Sequence, residues 1–288
     1  MKILLFGALG QLGTELQDSL SPLGQIAAYD IHNLNLESTD LVRETIRAVR
    51  PQVIVNASAY TAVDLAESEA EKAFHVNGDI PALLAEEAAK LDSFVIHYST
   101  DYVFDGAKGS LYVEADATHP LSVYGSSKLA GEESLRAGKA KYLILRTAWV
   151  YSRNRNSFVT KVLEWARKQD VLKVVSDQVS NPTWAHTLAT VTAQLLSKGF
   201  DCLVERQGLY HVAGDGYGSR LDWAKQILEL DPNKQEQTVR KIVPALTADF
   251  PTPAQRPLFS ALDCSLFQST FDIPLPKWED ALKQAMTE

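Results

Sequence analysis

The sequence predicts an α/β fold: a doubly wound parallel sheet joined to a smaller, mixed C-terminal portion. Three observations lead there. Short apolar runs alternate with amphipathic helical stretches through the first half of the chain. A glycine-spaced turn follows the first run, and after about residue 150 prolines and turn residues replace the alternation. Apolar strands separated by helices need crossover connections, which lay the strands parallel and put helices over both faces.

The strands expected in order are "KILLFG" (2–7), "QIAAYD" (25–30), "QVIVNAS" (52–58), "FVIHYST" (94–100) and "KYLILRT" (141–147). Each is a nearly unbroken apolar run, as in strands covered on both sides, rather than the polar–apolar alternation of a half-exposed sheet. Helical patterns fill about 11–20, 39–49, 66–90 and 122–137 between them. Beyond residue 150, helices near 184–198 and 219–230 are separated by segments such as "AGDGYGS", "DFPTPAQRPLF" and "FDIPLPKWED".

Composition bounds the function. The chain has 288 residues, 45% hydrophobic and 22% charged, the proportions of a globular protein with a sizeable core. A net charge of -8 argues against nucleic acid as a partner, because phosphate contacts need clustered Lys and Arg. Cys202 and Cys264 are too few for a disulfide framework or a cysteine-built zinc site, and each is expected to be a small buried hydrophobe. The opening "MKILLFGALGQLG" reads as strand and turn rather than signal peptide, since Gly7, Gly10 and Gln11 interrupt its apolar run. No stretch is long and apolar enough for a membrane span, so a cytoplasmic protein without membrane contacts is expected.

Gly7, Gly10 and Gly13 stand three residues apart directly after the first strand. Such a turn lets backbone N–H groups approach a pyrophosphate at the positive end of a helix, although three glycines alone also serve a purely structural turn. Its place at the first strand–helix junction favours a Rossmann-like dinucleotide site, with residues 1–149 as the dinucleotide-binding domain, to which later segments are free to return, and 150–288 mainly for substrate. Asp30 ends the second strand, where an acid commonly meets the adenosine ribose; capping the turn "YDIHN" is the other reading. NADPH and NADH both stay open.

"VYGSSKLAGE" (123–132) sets Tyr124 and Lys128 one helical turn apart. A chance pairing is common. A phenol with a reference pKa near 10, however, becomes a useful acid or base when a nearby ammonium favours its ionised form. Thr100 closes the fourth strand, and strand carboxyl ends face the ligand crevice in such sheets. Its hydroxyl can hold the oxygen that Tyr124 protonates, or satisfy the strand-end backbone. Together with the glycine turn, these residues point to a ketone/alcohol dehydrogenase.

The constellation resembles the extended short-chain dehydrogenase/reductase superfamily over essentially the whole chain. The strings "ILLFGALGQLG", "RPQVIVNASAYTAVDLAE", "HYSTDYVFDG", "PLSVYGSSKLAGE", "LRTAWVYS", "DQVSNPTW" and "FPTPAQRPLFSAL" are similar to its branch that reduces the C4 ketone of dTDP-linked deoxysugars. The resemblance implies NADPH or NADH as cofactor and a dTDP-sugar as substrate. It places dinucleotide contacts on Gly10, Gln11 and Leu12, on Asn35 and Leu36, and on Ala59, Tyr60 and Thr61. It makes Tyr124 the proton donor and Lys128 the ribose-holding lysine. Thr100 and Asp101 become contacts at the reacting sugar, Trp149 an aromatic lining, and Arg256 a clamp for the diphosphate. Trp149 also reads as core, and Arg256 as a solvated loop arginine. Magnesium at a subunit contact belongs to the same resemblance, with Glu15 and Glu279 in matching positions. His186 stands where a third carboxylate belongs, and imidazole suits that hard ion poorly, so no metal and a monomer or weak homodimer are expected. Ser180 replaces a glycine of the branch, expected to alter a loop without touching the chemistry. Two alternatives stand beside this reading: another nucleotide-deoxysugar reductase or epimerase, and a non-catalytic regulatory subunit of the same fold.

Overall fold

The computed structural model describes residues 1–153 and 155–287. In chain order the strands are β1 (Lys2–Phe6), β2 (Gln25–Tyr29), β3 (Val53–Asn56), β4 (Phe94–Thr100), β5 (Lys141–Thr147) and β6 (Val150–Tyr151). They continue with β7 (Val171–Val175), β8 (Val179–Ser180), β9 (Thr183–Trp184), β10 (Gly208–His211), β11 (Gly218–Ser219) and β12 (Lys241–Ala245). The helices are α1 (Gln11–Leu20), α2 (Thr39–Val49), α3 (Val63–Ala66), α4 (Ala70–Phe74), α5 (Ile80–Leu91) and α6 (Val123–Ala137). After them come α7 (Phe158–Ala166), α8 (Ala185–Ser197), α9 (Phe200–Glu205), α10 (Arg220–Glu229), α11 (Ser265–Phe271) and α12 (Trp278–Thr287).

The main sheet runs β2-β1-β3-β4-β5-β10, and every neighbouring pair is parallel. The chain therefore winds one way from β1 to β2 and the other way from β3 onward. That reversal opens a crevice at the carboxyl ends of β1 and β3, where ligands settle in such sheets. Leu4, Phe6, Ile54 and Ile144 point to one face and pack under α2 and α5, while Ile3, Leu5, Val55 and Leu143 point to the other, against α1 and α8. A separate core holds the C-terminal portion together around Tyr151, Trp184, Trp223 and Trp278. Its strands are short pairs: β6 with β9, β7 with β12 and β8 with β11. Among the described residues no helix is long and apolar enough to cross a membrane.

Two local expectations change. The helical pattern over 66–90 is divided into α3, α4, a π turn (His75–Asp79) and α5. Within this turn the Asn77 side chain bonds a neighbouring loop, and Pro81 follows in the first turn of α5. Cys264 is buried as expected, whereas Cys202 is partly exposed because it lies on the short outer helix α9.

Candidate active site

The turn after β1 closes on itself so tightly that only glycine fits. Gly7 has φ +81°, and a Cβ on Gly13 would lie 1.9 Å from the Gly7 carbonyl oxygen. Helix α1 begins at Gln11 with no side-chain cap from Gly10, which leaves first-turn N–H groups of Gln11, Leu12 and Gly13 for an anion. The Gln11 Oε1 atom is buried without a hydrogen-bond partner. This cradle of first-turn N–H groups fits the pyrophosphate of a dinucleotide.

The neighbouring loops converge on the same crevice. A Cβ on Gly7 would meet Ala57 at 2.7 Å, so the loop carrying Ala59, Tyr60 and Thr61 lies directly beside the turn. Asn77 pins that loop: its Oδ1 accepts the Tyr60 N–H at 2.8 Å, and its amide donates to the Tyr60 carbonyl at 3.1 Å and to Ser127 Oγ at 3.0 Å. The Tyr60 hydroxyl donates to Glu69 at 2.9 Å. After β2, Asp30 Oδ1 accepts the His32 N–H at 2.7 Å, so its carboxylate does cap its own turn. Asn35 accepts the Glu37 N–H at 3.0 Å, and His75 Nε2 lies 3.2 Å from the Leu36 carbonyl.

The second cluster stands where β4 meets α6. Ser122 caps α6, accepting the Gly125 N–H at 3.1 Å. Gly125 allows the helix to press on the chain after β4, since a Cβ there would lie 2.3 Å from the Tyr102 carbonyl oxygen. That contact brings Tyr124 to the end of β4, with its ring edge-on to Tyr102 at 5.7 Å between centroids. Lys128, one turn on, is buried; it donates to the Tyr98 carbonyl at 2.7 Å, and its Nζ lies 3.4 Å from His97 Nε2. Burial pushes the Lys128 ammonium down to about 8.

The immediate surroundings of Tyr124 oppose the acidification expected from Lys128. Burial pushes the phenol well above its ordinary value, a Thr100 hydrogen bond opposes this, and the charges of Asp101 and Tyr102 add to it. Tyr124 is half-buried, its ring edge-on to Tyr102, and desolvation is the largest of these contributions. Thr100 Oγ1 accepts the Tyr102 N–H at 3.1 Å and donates to Asp101 Oδ1 at 3.2 Å. Asp101 is 1% exposed, and its other oxygen accepts from Ser180 at 3.0 Å and Ser260 at 2.5 Å. Ser180 therefore reaches the site, contrary to the expectation that it only alters a loop.

On the C-terminal side Trp149 adopts φ +42° and stacks on Trp223 at 5.6 Å. The Arg220 guanidinium carbon lies 3.8 Å from the Trp149 ring centre and also faces Phe158 and Trp223. Arg220 lies near Tyr102 and feels the Asp101 charge, but no carboxylate among the described residues lies within ion-pair distance of it. Arg256 also lies near Tyr102 and is paired with Asp64 at 2.8 Å. Elsewhere, Glu15 Oε2 meets His186 Nδ1 at 3.0 Å, and Glu279 is exposed on α12.

Residues 1–288 match the family described as the RmlD substrate binding domain. The chain is 41% identical over 294 residues to dTDP-4-dehydrorhamnose reductase of Escherichia coli K12, covering 100% of this chain and 98% of that one. The chain belongs to the RmlD, or dTDP-4-dehydrorhamnose reductase, family. A solved reductase of this name from Clostridium acetobutylicum has a TM-score of 0.92 at 34% identity, covering 100% of this chain and 99% of that one. A Bacillus anthracis reductase solved with NADP has a TM-score of 0.90 at 29% identity, covering 99% and 98%.

For this RmlD-family chain, sequence reasoning found the ends of the crevice and missed its linkers. Arg220 was not singled out, because an arginine opening a helix after a serine cap is ordinary surface chemistry. Asn77 carried a faint signal, a polar residue beside Gly78 in a helical pattern that is otherwise apolar on that face. His97 sat unremarked inside a strand.

Proposed function

We propose that this chain reduces the C4 ketone of dTDP-4-dehydro-L-rhamnose to dTDP-L-rhamnose with NADPH or NADH. The observation that carries the reading is the meeting of Tyr124, Thr100 and Lys128 at the end of β4, beside the glycine cradle, in a chain of this family. A reduced nicotinamide, when bound, supplies hydride. Gly10, Gln11, Leu12, Asn35, Leu36 and the loop of Ala59, Tyr60 and Thr61 hold that cofactor, with Asp30 near its ribose. Tyr124 enters protonated, as its burial favours, and gives its proton to the sugar oxygen as negative charge develops there. Thr100 orients the same oxygen, and Asp101, tied to Ser180 and Ser260, fixes the strand end against the C-terminal portion. Trp149 lines the sugar. Arg220 and Arg256, both near Tyr102, face the diphosphate, for which a planar guanidinium fork is suited. On this reading residues 1–149 serve the dinucleotide and 150–288 mainly the sugar, in a cytoplasmic enzyme working as a monomer or weak homodimer.

Purified protein given the keto-sugar should consume NADPH or NADH, followed by absorbance, and yield one C4 stereoisomer. No turnover with either cofactor rejects the assignment. Tyr124→Phe should lower kcat by about 10²–10⁴-fold while leaving cofactor affinity unchanged. An unchanged rate would remove the phenol from the mechanism.

A further inference from the structure

Behind Lys128 lies a buried chain of polar groups that the proposed reaction does not use. Asn56 ends β3, and its Oδ1 accepts both the N–H of Ser58, at 3.2 Å, and the Ser58 hydroxyl, at 2.6 Å. A backbone N–H can only donate, so the oxygen of the amide must point that way and its NH₂ must point the other. There it meets His97 Nδ1 at 3.0 Å. The imidazole is fully buried, and desolvation together with the Lys128 charge keeps it well below its ordinary range, so it carries a single ring proton. Because Nδ1 is accepting from Asn56, that proton resides on Nε2, the atom 3.4 Å from Lys128 Nζ.

We propose that Asn56 and His97 form a tautomer lock behind Lys128: the ring presents an N–H, not a lone pair, to the lysine nitrogen, and so holds the ammonium ready to release a proton. His97 is thus a positioning residue acting through Lys128. An ammonium facing an N–H is a donor against a donor; an amine facing the same N–H accepts a hydrogen bond. The other charged group facing Lys128 is Glu132 on its own helix, which favours the ammonium and is itself held by Arg146 of β5. Tyr124 stands one turn back. From the π turn, the neutral Asn77 approaches through Ser127.

This rests on reading Tyr124 as the proton donor. The Tyr124 O–H bond breaks as the sugar oxygen takes its proton, and the phenolate then takes a proton released from Lys128. The amine left behind accepts from His97 Nε2–H until solvent restores its proton. Reductive turnover needs the ammonium, so it should fall as pH rises through about 8.

Two measurements on the full-length protein test the lock without substrate. Long-range ¹H–¹⁵N spectra of ¹⁵N-histidine-labelled protein should show His97 as the Nε2–H tautomer from pH 7 to 9; an Nδ1–H pattern overturns the proposal. Lys128, followed by its ¹³Cε shift, should titrate higher in His97→Gln by on the order of one pH unit, because the amide can turn its oxygen to the ammonium. An unmoved Lys128 midpoint overturns the proposal as well. In Asn56→Asp, whose second oxygen invites a proton onto Nδ1, the tautomer should reverse. Absence of reductase activity would count against the proposed function alone, since the spectra report the lock directly.

Discussion

The surroundings of Tyr124 favour its protonated form, which suits the role proposed for it, giving a proton to a ketone. Around it, charge is unevenly settled. Arg256 has Asp64, but Arg220 lies on aromatic faces with no carboxylate in ion-pair contact among the described residues, so an incoming diphosphate finds one guanidinium not already salt-bridged. Arg220→Ala should raise KM for the dTDP-sugar by about tenfold or more, the loss of a charge-assisted hydrogen bond, and leave KM for the dinucleotide unchanged. Steady-state kinetics with each substrate varied separately decides it. Asp101 supplies a pH signature. Burial raises its carboxyl to about 6 despite three hydroxyl donors. Below about pH 4 the group is neutral in folded and unfolded chains alike. As pH rises toward and through 6 the folded state must ionise a buried acid, so the stability that the neutral form contributes is lost. The urea midpoint of the wild type, taken relative to that of Asp101→Asn, should fall between pH 4 and 7.

Helix α6 carries Tyr124 and Lys128, the proposed catalytic pair, and its fixation is the main task at the level of elements. Its N-terminal end is held by Ser122 and by the gap at Gly125; farther along, Glu132 grips Arg146 of β5 through two hydrogen bonds of 2.9 and 2.7 Å. Glu132 is fully buried, Arg146 is 2% exposed, and Ser99 of β4 donates to the same carboxylate. Removing one partner leaves the other charge buried and alone. Glu132→Gln should therefore destabilise the protein by about 3–5 kcal/mol in denaturant melts. A change below 1 kcal/mol would show that the pair is replaceable. The length and amphipathic pattern of α6 were legible in the sequence. The break between α4 and α5 was not, because the polar side chain within it serves a loop distant in sequence.

The main sheet announced itself through β1–β5 because strands covered on both faces are nearly continuous apolar runs. β10 did not: "GLYH" is four residues long, begins with glycine and ends with a histidine that happens to be buried. The two-residue strands of the C-terminal portion are too short to show any period. The same division holds in the site. Tyr124, Lys128 and Thr100 were found through helical spacing and strand-end position, which are properties of one segment. Arg220, Asn77 and His97 take their meaning from polar neighbours that only the tertiary fold supplies.

The parallel pairing of β10 with β5 has a consequence for how the chain is made. About 60 residues separate Thr147 from Gly208, and at ribosomal rates of about 5–20 residues per second their synthesis takes several seconds. For that interval β5, whose Leu143, Ile144 and Leu145 become fully covered in the finished protein, presents an unpaired rim to every other nascent chain. Chaperone demand during translation should therefore concentrate on this one strand.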